Sequence, residues 1–208
     1  MLQTQTVKPG AFSLLEELHT LPKFQEFALV GGTALSLMFG HRLSVDLDFF
    51  SPEPFTNEEI SKHLADKFGT NFQSEKKPPQ FGVFCYINGI KVDIVRHPHV
   101  MLKPILEIEG LRFFSKEDIV AMKVQAILGR AKKKDFWDIA ELLQHYPVQD
   151  FIDFHSQKYP NQYLLISIPQ AMIYFSEADE DEDPISLKGQ TWDSVKNVIS
   201  KNVRKFLA

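Results

Sequence analysis

The chain has a single cysteine, Cys85, in 208 residues. It can close no intrachain disulfide, which excludes a small disulfide-stapled fold and points to a reducing compartment. Long apolar runs are missing as well. No stretch nears the roughly 20 consecutive apolar residues that cross a bilayer. The opening residues, Met1 to Gly10, lack a basic segment followed by an apolar one, so no secretory signal is expected. These readings place the protein in the cytoplasm with no membrane partner. Positive charge is not in excess: 23 Lys and Arg stand against 27 Asp and Glu, a net charge of −4. That excludes a surface basic enough to wrap nucleic acid throughout, although a local basic patch remains compatible with it. There is no repeat of fixed period and no Gly/Ser linker. What the chain does hold is 44% hydrophobic residues and 18 phenylalanines, enough for a core of mixed aromatic and aliphatic packing.

The pattern divides into an α/β domain over residues 1–104 and a helical domain over 105–208. Phe12 to His19 reads as a helix, and Phe27 to Val30 as a buried strand entering a Gly31-Gly32 turn. Thr33 then opens a helix to Phe39. Ser44 to Phe50 reads as a strand and Thr56 to Phe68 as a helix. Lys76 to Pro79 is a break. Beyond it, two strand-type runs, Phe81 to Ile87 and Ile90 to Val95, flank Asn88-Gly89, the pair that a type I′ hairpin turn favours. After residue 104 the chain reads mostly as helices: Ser115 to Arg130 with a capping pair Ser115/Asp118, then 135–144, 150–159, 162–176 and 191–207. The acidic run 177–183 reads as a solvated loop.

The chemistry concentrates in one stretch. Asp46 and Asp48 are two apart, so on a strand they share a face, while Val45, Leu47 and Phe49 take the other. Two carboxylates side by side on a half-buried strand repel one another and lose hydration, and a divalent cation is an economical compensation. In the hairpin, Asp93 interrupts an apolar run. It is either a third carboxylate for a cluster able to hold two metal ions, or a lone acid on the solvent side paired with Lys91. Gly31-Gly32, between a strand and a helix start, suits a close backbone approach to phosphate.

The motifs Gly31-Gly32-Thr33-Ala34-Leu35 and His41-Arg42-Leu43-Ser44-Val45-Asp46-Leu47-Asp48-Phe49-Phe50 resemble the AbiEii/AbiGii toxin family of the nucleotidyltransferase superfamily. Ala121-Met122-Lys123-Val124-Gln125-Ala126, Arg130 and Lys134-Asp135-Phe136-Trp137-Asp138-Ile139 resemble that family's later motifs. The resemblance implies a polymerase-β-like mixed β-sheet domain with flanking helices, followed by the helical domain. It implies that Gly31, Gly32 and Thr33 hold an NTP triphosphate, that Asp46 and Asp48 bind Mg²⁺, and that Asp93 serves the metal on the attacking-hydroxyl side. Lys123 would contact the triphosphate, and Asp135 would lie near the active site. Arg42 and Ser44 match motif positions of open role; Arg42 either neutralises phosphate or buttresses carboxylates.

In the helical half, Lys123 and Arg130 are two helical turns apart and share a face. Arg130, Lys132, Lys133 and Lys134 form a basic patch that either attracts triphosphate or RNA backbone or is a solvated loop. Asp135 also fits a helix N-terminal acid or an ion-pair partner. Phe136 and Trp137 read as core, and Cys85 as an inert thiol. His97 and His99 flank Pro98 without zinc-site spacing. The expected function is a Mg²⁺-dependent nucleotidyltransferase, with two ions, moving an NMP from an NTP onto a hydroxyl of an RNA end such as tRNA, a protein or a small molecule. By resemblance it is the toxin of a toxin–antitoxin or phage-defence pair, with an antitoxin partner. The rivals are a catalytically silent nucleotide-binding module of the same fold and an antibiotic-type small-molecule adenylyltransferase.

Overall fold

A computed structural model describes residues 1–74 and 80–208. The chain divides into two compact units. The first comprises residues 1–38, 44–99 and 105–114; the second comprises 39–43, 100–104 and 115–208.

The first unit is built on a mixed seven-stranded sheet. Its strands are β1 (Ala28–Leu29), β2 (Leu47–Ser51), β3 (Phe72–Ser74), β4 (Gly82–Ile87), β5 (Ile90–Arg96), β6 (Leu106–Ile108) and β7 (Leu111–Phe113), in the order β3-β4-β5-β2-β1-β7-β6. The central pairs β2–β5 and β1–β7 are parallel, and the hairpins at either side are antiparallel. The expected hairpin is present, with both Asn88 and Gly89 at positive φ as a type I′ turn requires. Its preceding break, 76–79, lies outside the described residues. Three helices belong to this unit: α1 (Pro9–Thr20), α2 (Gly31–Phe39) and α3 (Asn57–Phe68). One sheet face carries Leu47, Phe49, Val92, Ile94, Val83 and Ile87, all buried. Phe49 packs edge-on against Phe24 and beside His19, with ring centroids 5.5 and 5.2 Å away.

Three readings change here. Helix α2 starts at Gly31, two residues before the expected opening at Thr33. Residues 105–114, expected to begin a helical region, instead form the hairpin β6–β7. Its turn residues Glu109 and Gly110 also take positive φ, and strands of three residues are too short to show an alternation. Val45, expected on the buried face, is 55% exposed, because β2 starts only at Leu47.

The second unit contains α4 (Lys116–Gly129), α5 (Lys133–Leu142), α6 (Val148–Lys158), α7 (Ile168–Met172) and α8 (Trp192–Leu207). Ser115 caps α4 by accepting from the Asp118 amide at 3.0 Å, and Thr191 with Ser194 forms a reciprocal cap on α8. The helix expected over 162–176 shrinks to five residues. Pro169 fits only the first turn of a helix, so α7 starts at Ile168 behind its Ser167 cap. Phe136 and Trp137 are fully buried, and Trp137 stacks on Trp192 at 5.9 Å. The acidic run is less solvated than expected. The Lys133 ammonium is buried against the Asp181 carbonyl and the Asp183 carboxylate, and the Lys133 amide donates to the Asp181 side chain. No helix among the described residues is long and apolar enough to cross a membrane.

Candidate functional site

The sheet brings two of the acids together. In the parallel pairing of β2 with β5, Asp48 lies directly opposite Asp93. Neighbouring strands run about 4.8 Å apart, so these two carboxylates leave the same sheet face as immediate neighbours. Asp46 comes two residues earlier, just before β2 begins. All three are half-buried. On the far side of β5, Phe84 stands opposite Asp93 and Tyr86 opposite Lys91, which extends the same face across β4.

The glycine turn and its helix shape this place. The Val30 amide donates to the Asp48 carbonyl at 2.9 Å, which brings the start of α2 beside the acids. Gly31 sits at φ +70°, and a Cβ there would lie 2.9 Å from Asp48 Oδ2. Only glycine tolerates both the backbone conformation and the closeness of that carboxylate. The Thr33 hydroxyl, fully buried, donates to the Asp46 carbonyl and shares a 2.8 Å hydrogen bond with the Ser44 hydroxyl. Thr33 and Ser44 thus fix the backbone that carries Asp46.

Lys91 stands among the acids. Its ammonium donates to Asp93 Oδ2 at 2.5 Å. Burial works against the charge on Lys91, but the Asp93 hydrogen bond and the fields of Asp93, Asp48 and Asp46 outweigh it and raise its pKa. The other Asp93 oxygen, Oδ1, is buried with no hydrogen-bond partner among the described residues. Such an orphaned acceptor beside two further carboxylates is what a hard divalent cation takes as ligand, so Asp46, Asp48 and Asp93 fit that group. Among the described residues no three His, Cys, Asp or Glu side chains already form a metal-holding group. Lys91 also lines two adjoining cavities, one of about 370 Å³ bounded by Asp93, Phe84 and Gln73, the other of about 210 Å³ bounded by Asp46, Lys8 and Gly89. Tyr86 lines both. Cys85 borders the larger cavity, but burial and the charge of Asp93 push its thiol up to about 12, and it is inert.

The remaining expected residues lie in the second unit and are gathered around two carboxylates. Asp138 is fully buried. Its Oδ1 accepts from Arg42 Nε at 2.7 Å and from His41 Nε2 at 2.8 Å, and its Oδ2 accepts from Arg42 Nη2 at 2.9 Å. The Lys123 ammonium sits 2.6 Å from Asp138 Oδ2 and 2.8 Å from Asp135 Oδ1. Arg130, its side chain 58% exposed, reaches Asp135 Oδ2 at 3.3 Å. Burial alone would raise the Asp138 pKa, yet the charges of Arg42 and Lys123 and the hydrogen bonds from His41 and Arg42 hold it well below the usual carboxylate range. Asp135 is lowered in the same way by Lys123 and Arg130. Arg42 buttresses a carboxylate, that of Asp138. The sequence signal for this cluster was available: Asp135 and Asp138 lie one helical turn apart, just as Lys123 and Arg130 share a face.

The sequence and the fold match known proteins. A family model described as "Nucleotidyl transferase AbiEii toxin, Type IV TA system" matches residues 13–194. An uncharacterised protein of Aquifex aeolicus (strain VF5) is 29% identical over 203 residues, covering 93% of this chain and 94% of its own. Among solved structures, JHP933 from Helicobacter pylori superposes with a TM-score of 0.57 at 18% identity over 96% of this chain and 92% of that one. MenT4, the nucleotidyltransferase toxin Rv2826c from Mycobacterium tuberculosis H37Rv, superposes with a TM-score of 0.58 at 12% identity over 94% of this chain and 84% of that one. At such identities the two structures speak for a shared fold, while the family model spans most of the sequence. The chain belongs to the AbiEii family of nucleotidyl transferase toxins of type IV toxin–antitoxin systems, and it is a nucleotidyltransferase.

Proposed function

We propose that the protein transfers an NMP from an NTP onto an acceptor hydroxyl, with Asp46, Asp48 and Asp93 as the reacting centre and Mg²⁺ as the metal. One observation carries this reading: Asp48 faces Asp93 across β2–β5 with Asp46 alongside, and a buried Asp93 oxygen is left without a partner among the described residues. Family membership implies an NTP substrate and an antitoxin partner.

The three carboxylates would hold the divalent cations. When bound, these supply charge neutralisation at the attacking and departing oxygens. The residues of the chain do the rest. The acceptor hydroxyl attacks the α-phosphorus, its oxygen forms the new ester, and the bond to the β-phosphate oxygen breaks to release pyrophosphate. The hydroxyl proton passes to the Asp93 carboxylate and on to water. Gly31 leaves room for the substrate's approach at Asp48, and Thr33 and Ser44 hold the Asp46 backbone still. Gly32, one residue on at the start of α2, offers backbone N–H groups to phosphate. Lys123 and Arg130 are bonded to Asp135 within the second unit, and a role for them toward triphosphate rests on the family resemblance alone. An RNA end is the acceptor we favour. The exposed Tyr86 and half-buried Phe84 beside Asp93 offer ring faces to a base.

The test is incubation with Mg²⁺, each labelled NTP in turn, and total RNA. Label should enter RNA and be lost with Asp48→Asn. Nucleotide binding without transfer to RNA, protein or small hydroxyl acceptors would favour the silent module instead.

A further inference from the structure

Asp48 and Asp93 face each other across β2 and β5, with Asp46 just before β2, and a cation of the chain itself stands beside them. Lys91 precedes Asp93 by two residues on β5, so their side chains leave the strand on the same face. Its ammonium is hydrogen-bonded to Asp93 Oδ2, and Asp48 and Asp46 also act on it electrostatically. The Lys91 side chain is 40% exposed against 15% for Asp93, so the lysine can leave for solvent while the carboxylate cannot. Lys91 also forms part of the wall of both cavities beside the acids.

We propose that Lys91 is a built-in counter-cation of the three-acid site, one that a divalent cation displaces from Asp93. The inference rests on the metal-site reading given above. A carboxylate has lone pairs for several partners, but an ammonium and a divalent cation compete for the same face of one and repel each other at close range. Lys91 therefore keeps like charges from repelling in the metal-free protein, and it sets the affinity with which metal enters. The positive charge is the operative feature, because a neutral chain of the same length would neither quiet the acids nor repel a metal.

The probe is Mn²⁺ alone, titrated by calorimetry into the full chain at low ionic strength. Parallel melting curves are recorded in EDTA and in MgCl₂. Lys91→Met should bind Mn²⁺ roughly tenfold more tightly than the wild type, as expected when a nearby positive charge is removed from a partly exposed site. It should also melt lower than the wild type in EDTA and gain more from MgCl₂. Lys91→Arg keeps the charge and should follow the wild type. Equal or weaker Mn²⁺ binding by Lys91→Met, or tightening by Lys91→Arg as large as that by Lys91→Met, would overturn the role of Lys91. If binding is nonetheless abolished by Asp48→Asn, the metal-site reading stands without it. Failure of both wild type and Lys91→Met to bind Mn²⁺ would sink the two together.

Discussion

The molecule contains two gatherings of charge, and they have opposite characters. Asp135 and Asp138 in the helical unit are buried and saturated: Arg42 grips Asp138 through two donors, His41 and Lys123 add to it, and Lys123 with Arg130 holds Asp135. Asp48 and Asp93 on the sheet, with Asp46 just before β2, are half-buried, share the field of Lys91, and leave one buried Asp93 oxygen without a partner among the described residues. A buried ion cluster is tolerable only when its charges and lone pairs are matched from within. A carboxylate oxygen left without a partner beside a cavity, as Asp93 Oδ1 is among the described residues, is open to whatever binds there. Under the proposed function, the contrast separates a device that holds the helical unit together from one that would meet substrate.

The sharpest way to break the contrast is to neutralise one carboxylate in each cluster. Asp138→Asn leaves Arg42 and Lys123 buried with less charge to answer them. It should cost about 3–5 kcal/mol of stability, read from the urea midpoint. Asp48→Asn removes a charge from a group of like charges and should leave stability within about 1 kcal/mol of the wild type while transfer is lost. Equal costs for the two substitutions would erase the distinction.

A second, smaller effect probes how tightly the sheet cluster is built. Gly31→Ala adds a Cβ 2.9 Å from Asp48 Oδ2 at a backbone φ of +70°. The strain should cost about 1–3 kcal/mol and move the Asp48 carboxylate. Melting temperature and transfer rate should fall together. Alanine at position 10, where a Cβ meets nothing within 4 Å, is the control. A silent Gly31→Ala would mean that the glycine turn does not shape the acid site.

Much of this was legible in the sequence, and the failures have physical causes. Asn88-Gly89 announced its hairpin because both residues tolerate positive φ; Glu109-Gly110 makes a comparable turn, but glutamate gives no such signal and its strands are three residues each. The i, i+2 spacing of Asp46 and Asp48 placed them on one face, yet the start of β2 could not be read to the residue, so Val45 came out exposed. Lys91 and Asp93, two apart on one strand, pair as their spacing allows. Sequence could not show that this pair coexists with Asp48 opposite Asp93, because register between distant strands leaves no local trace. Likewise His41 and Arg42 reach Asp138 from 97 and 96 positions away, a closure that no helix periodicity encodes.

The smallest effect concerns acid stability of the helical unit, and it separates the saturated cluster by its pH signature. The carboxyl of Asp135 has its pKa lowered on folding: burial opposes this, but Lys123 and Arg130 outweigh it. A carboxylate with a depressed folded pKa contributes stability that is fully present above its unfolded value, about 3.9, and is lost as pH falls through the folded value. The stability difference between wild type and Asp135→Asn should therefore be constant from neutral pH down to about 5, then shrink as the pH drops below 4. Both tryptophans, Trp137 and Trp192, lie in the helical unit, so their fluorescence during urea unfolding reports on that unit. A difference that stays flat into strong acid would mean that the ion pairs of Asp135 with Lys123 and Arg130 add nothing to folding, and the saturated cluster would then have to be explained by substrate as well.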